Sequence, residues 1–125
     1  MQDLEFSEEF FHFLQASIPA VDAAELLLLY RGRPDAGFTA DEAVRRLGPG
    51  VNLKAAEKYL ELFEASGLLV RQDSRYRYRP ESNLAPQVDK LALAYQHRPV
   101  TLVRMIYALR DSSIQSFADA FKLRK

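Results

Sequence analysis

Four arginines, Arg71, Arg75, Arg77 and Arg79, fall within nine residues near the middle of the chain. Arginine carries a permanent charge on a planar fork of N–H donors, which suits it to phosphate oxygens and to narrow minor grooves. Two lysines stand shortly before them, Lys54 and Lys58, one helical turn apart. Together these cations could bind a polyanion. Competing readings are an edge strand kept soluble by its charges and a solvated helix face with Lys–Glu pairs.

Little else in the chain offers chemistry. It has no cysteine, which excludes disulfides, thiolate nucleophiles and cysteine-held metals. His12 sits among phenylalanines and His97 precedes Arg98-Pro99; neither has a second ligand at metal spacing. Glycine-rich phosphate loops and nucleophile elbows are absent. The acidic residues cluster at helix starts, where capping and the helix dipole account for them. No enzyme activity and no cofactor is expected.

The net charge is zero but unevenly spread. Residues 1–30 hold six acids and no Lys or Arg, whereas residues 71–125 hold eleven Lys and Arg against five acids. Either the two ends of the domain attract one another or the basic half meets a polyanion; overall neutrality favours the former. The N-terminus lacks the basic-then-apolar order of a signal peptide, and the longest apolar run, Leu26–Tyr30, is too short for a bilayer. A cytoplasmic, membrane-free domain is the expectation. At 125 residues, with 48% hydrophobic residues, one domain with its own core is expected over residues 1–125.

The elements that position the cations follow from local signals. Phe6, Phe10, Phe13 and Leu14 have helical spacing, and Ser7-Glu8-Glu9 suits a helix start. Asp22-x-x-Glu25 opens a second helix through Leu26–Tyr30. Gly32, Pro34, Asp35 and Gly37 make a turn-rich loop, after which Phe38 can add a strand-like residue or two. Thr39-Ala40-Asp41-Glu42 is a capping box opening a short helix, which Gly48-Pro49-Gly50 ends. Asn52 caps a longer helix to Ser66, and Gly67 sits where a left-handed cap belongs. Leu68–Arg71 and the alternating Arg75-Tyr76-Arg77-Tyr78-Arg79 read as two strands of a hairpin. Beyond Pro80, Leu84, Val88, Leu91 and Tyr95 share one helical face. Pro99 begins another helix with Leu102, Val103, Ile106 and Tyr107. Ser112-x-x-Gln115 opens a last one with Ile114, Phe117, Ala118 and Phe121.

This order predicts a mainly α domain with one small hairpin. Its centre is a winged helix-turn-helix over 21–80, flanked by helical extensions at 1–20 and 81–125. The segment Thr39–Leu47, with Ala56, Leu60, Phe63 and Gly67-Leu68-Leu69 before the hairpin, resembles bacterial winged-helix regulators of the MarR/ArsR type, over the middle third of the chain. The resemblance implies a DNA-binding transcriptional regulator. In such a fold the second helix of the pair enters the major groove by its N-terminal turns.

On a helical wheel, Leu53, Ala56, Leu60 and Phe63 form the inward stripe of that helix. Lys54, Ala55, Lys58, Leu62 and Ala65 point outward, Glu57 and Glu64 flank the stripe, and Glu61 lies nearer the exposed side. Candidate DNA contacts are therefore Asn52, Lys54, Ala55, Lys58, Arg71, Arg75, Arg77 and Arg79. The rival is an adaptor that binds another protein, favoured by the neutral charge, Glu61 and an exposed Leu62. Surplus apolar residues in the terminal helices, Phe10, Phe11, Leu102, Ile106 and Phe117, suggest a homodimer face.

Overall fold

The computed structural model describes residues 6–110, and for Arg110 the backbone alone. In chain order the elements are α1 (Glu8–Ser17), α2 (Val21–Gly32), α3 (Ala40–Leu47), α4 (Leu53–Ser66), β1 (Leu69–Gln72), β2 (Arg75–Tyr78), α5 (Ala85–His97) and α6 (Pro99–Arg110). The fold is mainly helical with one antiparallel hairpin, as the local signals predict. The helix expected beyond Ser112 lies outside the described residues.

The helix starts follow their caps. Ser7 accepts from the Phe10 N–H at α1. At α3 the capping box closes in both directions. Thr39 Oγ1 accepts from the Glu42 N–H at 3.1 Å, and Glu42 Oε1 accepts from the Thr39 N–H at 3.0 Å. Asn52 Oδ1 accepts from the Ala55 N–H at 2.8 Å and starts α4. Gly67 ends α4 in the left-handed region at φ 87°, with its N–H returned to Glu64 and Phe63. At α2 the sequence signal misleads: Ala20 occupies the cap position and makes no side-chain cap bond. Asp22 instead accepts from the Tyr59 hydroxyl of α4, and Glu25 from the Tyr95 hydroxyl of α5. Those two acids fasten helices together where local spacing suggests a helix start.

The hairpin pairs Leu69 with Tyr78, Val70 with Arg77, Arg71 with Tyr76 and Gln72 with Arg75. Asp73, at φ 60°, makes the tight reversal. Phe38 adds a single antiparallel bridge to Tyr76, bonded in both directions at 3.1 and 2.9 Å. The Tyr30 hydroxyl donates to the Phe38 carbonyl at 3.0 Å from inside the core. That bond ties Phe38, and through its bridge the hairpin, to α2.

The core runs through every helix. It contains Phe10, Phe13 and Leu14 of α1, Leu26, Leu27 and Tyr30 of α2, Ala43 of α3, Ala56, Leu60 and Phe63 of α4, Val88, Leu91 and Ala94 of α5, and Leu102, Met105, Ile106 and Leu109 of α6. At roughly 25 cal/mol per Å² of apolar area removed from water, burial on this scale is the main source of stability. Among the described residues no single helix is long and apolar enough to cross a membrane.

Tyr30 in the core and half-buried Tyr59 and Tyr78 packed against it give the fold a sensitivity to alkali. Burial raises Tyr30 strongly, with nearby Tyr76 and Glu42 adding to it. Tyr59 is pushed up to about 12 by burial and by its bond to Asp22. Tyr78 reaches about 12 by burial with Asp89 nearby. Each phenol stays protonated in the folded chain above the pH, about 10, at which an unfolded tyrosine ionises. The stability they contribute is complete below about pH 10 and is lost as pH rises towards 12. Urea midpoints are expected to fall steadily over that window. Tyr59→Phe and Tyr78→Phe should each flatten the decline, and a decline of unchanged steepness in both variants would refute the assignment.

Candidate interaction face

The candidate residues lie on α4, its cap and the hairpin, and of the eight only Arg71 lines the cleft between the N-terminus of α3, α4 and the hairpin. That cleft is open, about 550 Å³ in volume, and lined by Thr39, Ala40, Asp41, Leu53, Glu57, Glu61, Arg71, Ser74 and Tyr76. Its charges are three carboxylates and one guanidinium. The Tyr76 phenol registers this field. Burial raises it, Arg71 opposes, and Glu64, Glu61 and Glu57 all push it further up. Of these, Glu57 and Glu61 line the cleft beside the hairpin. Among the described residues neither Glu57 nor Glu61 has an ion-pair partner.

The cations divide into spent and free. Arg75 donates to the Gly37 carbonyl at 2.7 Å and to Glu42 Oε1 at 2.9 Å. That oxygen is the one that also receives the Thr39 N–H. The Thr39 N–H, helped by Arg75, holds the Glu42 carboxyl below the usual carboxylate range. The arginine thus ties β2 to the start of α3. Arg71 donates from Nε to the Asp73 carbonyl at 2.8 Å, and its guanidinium lies 5.9 Å from the Tyr76 ring centre. Arg77 is half-buried, alongside Gly37. Arg79 is exposed at the end of the hairpin. Lys54 and Lys58 are exposed on α4, whereas Ala55 is half-buried. Asn52 is exposed, but its carboxamide oxygen is occupied as the cap of α4.

Two assignments on the wheel shift. Leu53, expected inward, is 39% exposed and lines the cleft, although Ala56 in the same turn is fully buried. Leu62, expected outward, is half-buried. The exposed face of α4 is consequently Leu53, Lys54, Glu57, Lys58, Glu61, Glu64 and Ala65. It carries more acid than the wheel suggested.

The residues named for a dimer face need a correction. Phe10, Leu102 and Ile106 are at most 1% exposed within a single chain. They are the contact of α1 and α6 with the rest of the core and supply no surplus surface. Phe11 is half-buried against that core, and Phe117 lies outside the described residues. Local spacing reports that a helix face is apolar; it carries no information on whether the same chain covers it. Of the two histidines, His12 and His97 are both exposed, and no group of three metal-ligating side chains occurs among the described residues.

No protein-family profile, curated protein or solved structure matched the chain.

Proposed function

We propose that residues 21–80 form a winged helix-turn-helix, with α3 and α4 as the helix pair and β1–β2 as the wing, and that its exposed face binds another protein. The element order supports the fold reading: helix, single bridging residue, short helix, glycine turn, longer helix, hairpin. The charge of the cleft carries the functional reading. In the cleft on the face a winged helix would present to DNA, Asp41, Glu57 and Glu61 stand around Arg71, and Lys54 and Lys58 lie outside that lining. The wing's Arg75 is neutralised by Glu42. Phosphate contacts supply most non-specific duplex affinity, and this face has few cations free to make them. Protein adaptors need no such excess, and half-exposed Leu53 beside Tyr76 offers the apolar floor that interfaces use.

A second reading, the transcriptional regulator implied by the MarR/ArsR-like segment, is favoured by Lys54 and Lys58. Both are exposed in the leading turns of α4 and unpaired among the described residues. Titration into labelled mixed-sequence duplexes at 50 mM and 200 mM salt separates the two, together with selection from a pool of genomic fragments. The expected result is no saturable binding at micromolar protein at either salt and no enriched fragment. Saturable binding that weakens steeply with salt, or enrichment of a defined site, would overturn the adaptor reading in favour of DNA.

A further inference from the structure

Tyr76 is only 8% exposed, yet its hydroxyl has no hydrogen-bond partner among the described residues. Buried polar groups nearly always find one, and Tyr30, Tyr59 and Tyr95 each donate to a carbonyl or carboxylate oxygen. Tyr76 instead lines the open cleft, with Asp41 of α3 and with Glu57 and Glu61 of α4. The two glutamates are four residues apart, about 6 Å along the helix axis. Neither has an ion-pair partner among the described residues. Burial, opposed by Arg71, raises the Tyr76 phenol, and Glu64, Glu61 and Glu57 add to it, so the hydroxyl lies within the field of these carboxylates. Arg71, the one cation of the lining, is already engaged by the Asp73 carbonyl and lies against the Tyr76 ring.

We propose that this cleft receives an arginine side chain from a basic segment of a partner protein, with Glu57, Glu61 and the Tyr76 hydroxyl as its acceptors. The proposal rests on the reading of this face as protein-binding and names the chemistry of the partner. Three carboxylates against one guanidinium leave the lining net negative. Covering them with a neutral surface would strand buried charge without a counterion, which is strongly unfavourable; the occupant must bring cations. A guanidinium offers five N–H donors in a planar fork, enough for a carboxylate and a neutral oxygen together, whereas an ammonium has three. Leu53, 39% exposed in the same lining, provides apolar surface for the stem of the arginine. About 550 Å³ is more than one side chain fills, so residues flanking the arginine enter as well. A metal ion is a poorer occupant, since no group of three ligating side chains occurs among the described residues.

The test selects a random linear peptide library, displayed on phage, against the full chain, and measures the enriched peptides by fluorescence anisotropy. Enriched sequences are expected to carry net positive charge and an arginine beside an apolar residue. Glu57→Gln with Glu61→Gln should weaken their binding at least roughly tenfold, and Tyr76→Phe, which keeps the ring in the core and removes only the oxygen, about threefold. Circular dichroism checks that both variants keep wild-type helicity. Lysine in place of the peptide's arginine should weaken binding several-fold. Enriched peptides that lack cations and are lost on Leu53→Asp would overturn the arginine proposal while leaving the protein-binding reading in place. No enriched peptide, or basic peptides indifferent to all three substitutions, would overturn it as well, and the duplex titration decides the protein-binding reading separately. Displacement of the peptide by spermidine at equal concentration would make a free polyamine the occupant and equally overturn the proposal.

Discussion

If the face binds a protein as proposed, Glu57→Lys combined with Glu61→Lys is expected to give the chain a duplex affinity at low salt that the wild type lacks. The two positions lie one turn apart on the exposed face of α4, and both line the cleft beside the hairpin. The substitutions replace two unpaired carboxylates by two cations flanking Lys54 and Lys58. Two added phosphate contacts would give a log–log salt slope near −1.8, at about 0.9 per contact. Duplex affinity at 50 mM salt should rise at least roughly tenfold, since each contact also releases condensed counterion. Fluorescence anisotropy with a mixed-sequence duplex reads both quantities. The same variant should lose any protein partner that the acidic cleft recruits. A reversed variant that stays indifferent to DNA would show that this face is not shaped to meet a duplex. A wild-type protein that binds as well as the variant would show that the glutamates do not set the discrimination.

The largest stability loss is expected at Phe63. Its side chain is fully buried on α4, the helix that contacts α1, α2, α3 and β1. Phe63→Ala removes most of a ring from a site walled by several elements, so collapse around the void is limited. Such truncations cost about 3–5 kcal/mol, a large share of the roughly 5–15 kcal/mol that holds a domain together. Urea unfolding followed by circular dichroism should show a markedly lowered midpoint, or a protein already partly unfolded in buffer. Leu53→Ala, on the same helix, should stay within about 0.5 kcal/mol of wild type, as substitutions at partly exposed positions do. Equal losses at both positions would mean that the first turn of α4 is packed more tightly than its exposure indicates.

That contrast marks where the sequence is legible. Caps are local, and their signals carried: Thr39 and Glu42 sit three residues apart and close their box, and Gly67 takes the positive φ its position requires. Alternation in Arg75–Arg79 likewise reports a strand, because the period of a strand is a local property. Leu53 and Phe63 share a wheel stripe, yet one is exposed and the other buried, because burial depends on which neighbouring elements reach each position, which a wheel does not encode. The state of the arginines was not legible at all. Arg75 meets Glu42 across 33 residues of chain. No spacing rule links the two, and only the folded hairpin brings that guanidinium to the capping box. The acidic character of the cleft has the same origin, since Asp41, Glu57, Glu61 and Arg71 come from three elements. Asp22 and Glu25 resemble a helix start in sequence and serve as acceptors for Tyr59 and Tyr95 of distant helices.

The pairing of Phe38 with Tyr76 has a topological consequence. Beside it Arg75 grips the carbonyl of Gly37, 38 residues back along the chain. Everything between, α3, the Gly48–Gly50 turn, α4 and the hairpin bend, is thereby a loop closed on itself by backbone bonds. Closing such a loop has an entropic cost that grows only slowly with its length. An insertion in the Gly48–Gly50 turn, where a Cβ at Gly48 or Gly50 would meet nothing within 4 Å, should therefore leave both anchors in place. Gly37-Phe38 and Arg75-Tyr76 act as the clasp of this unit.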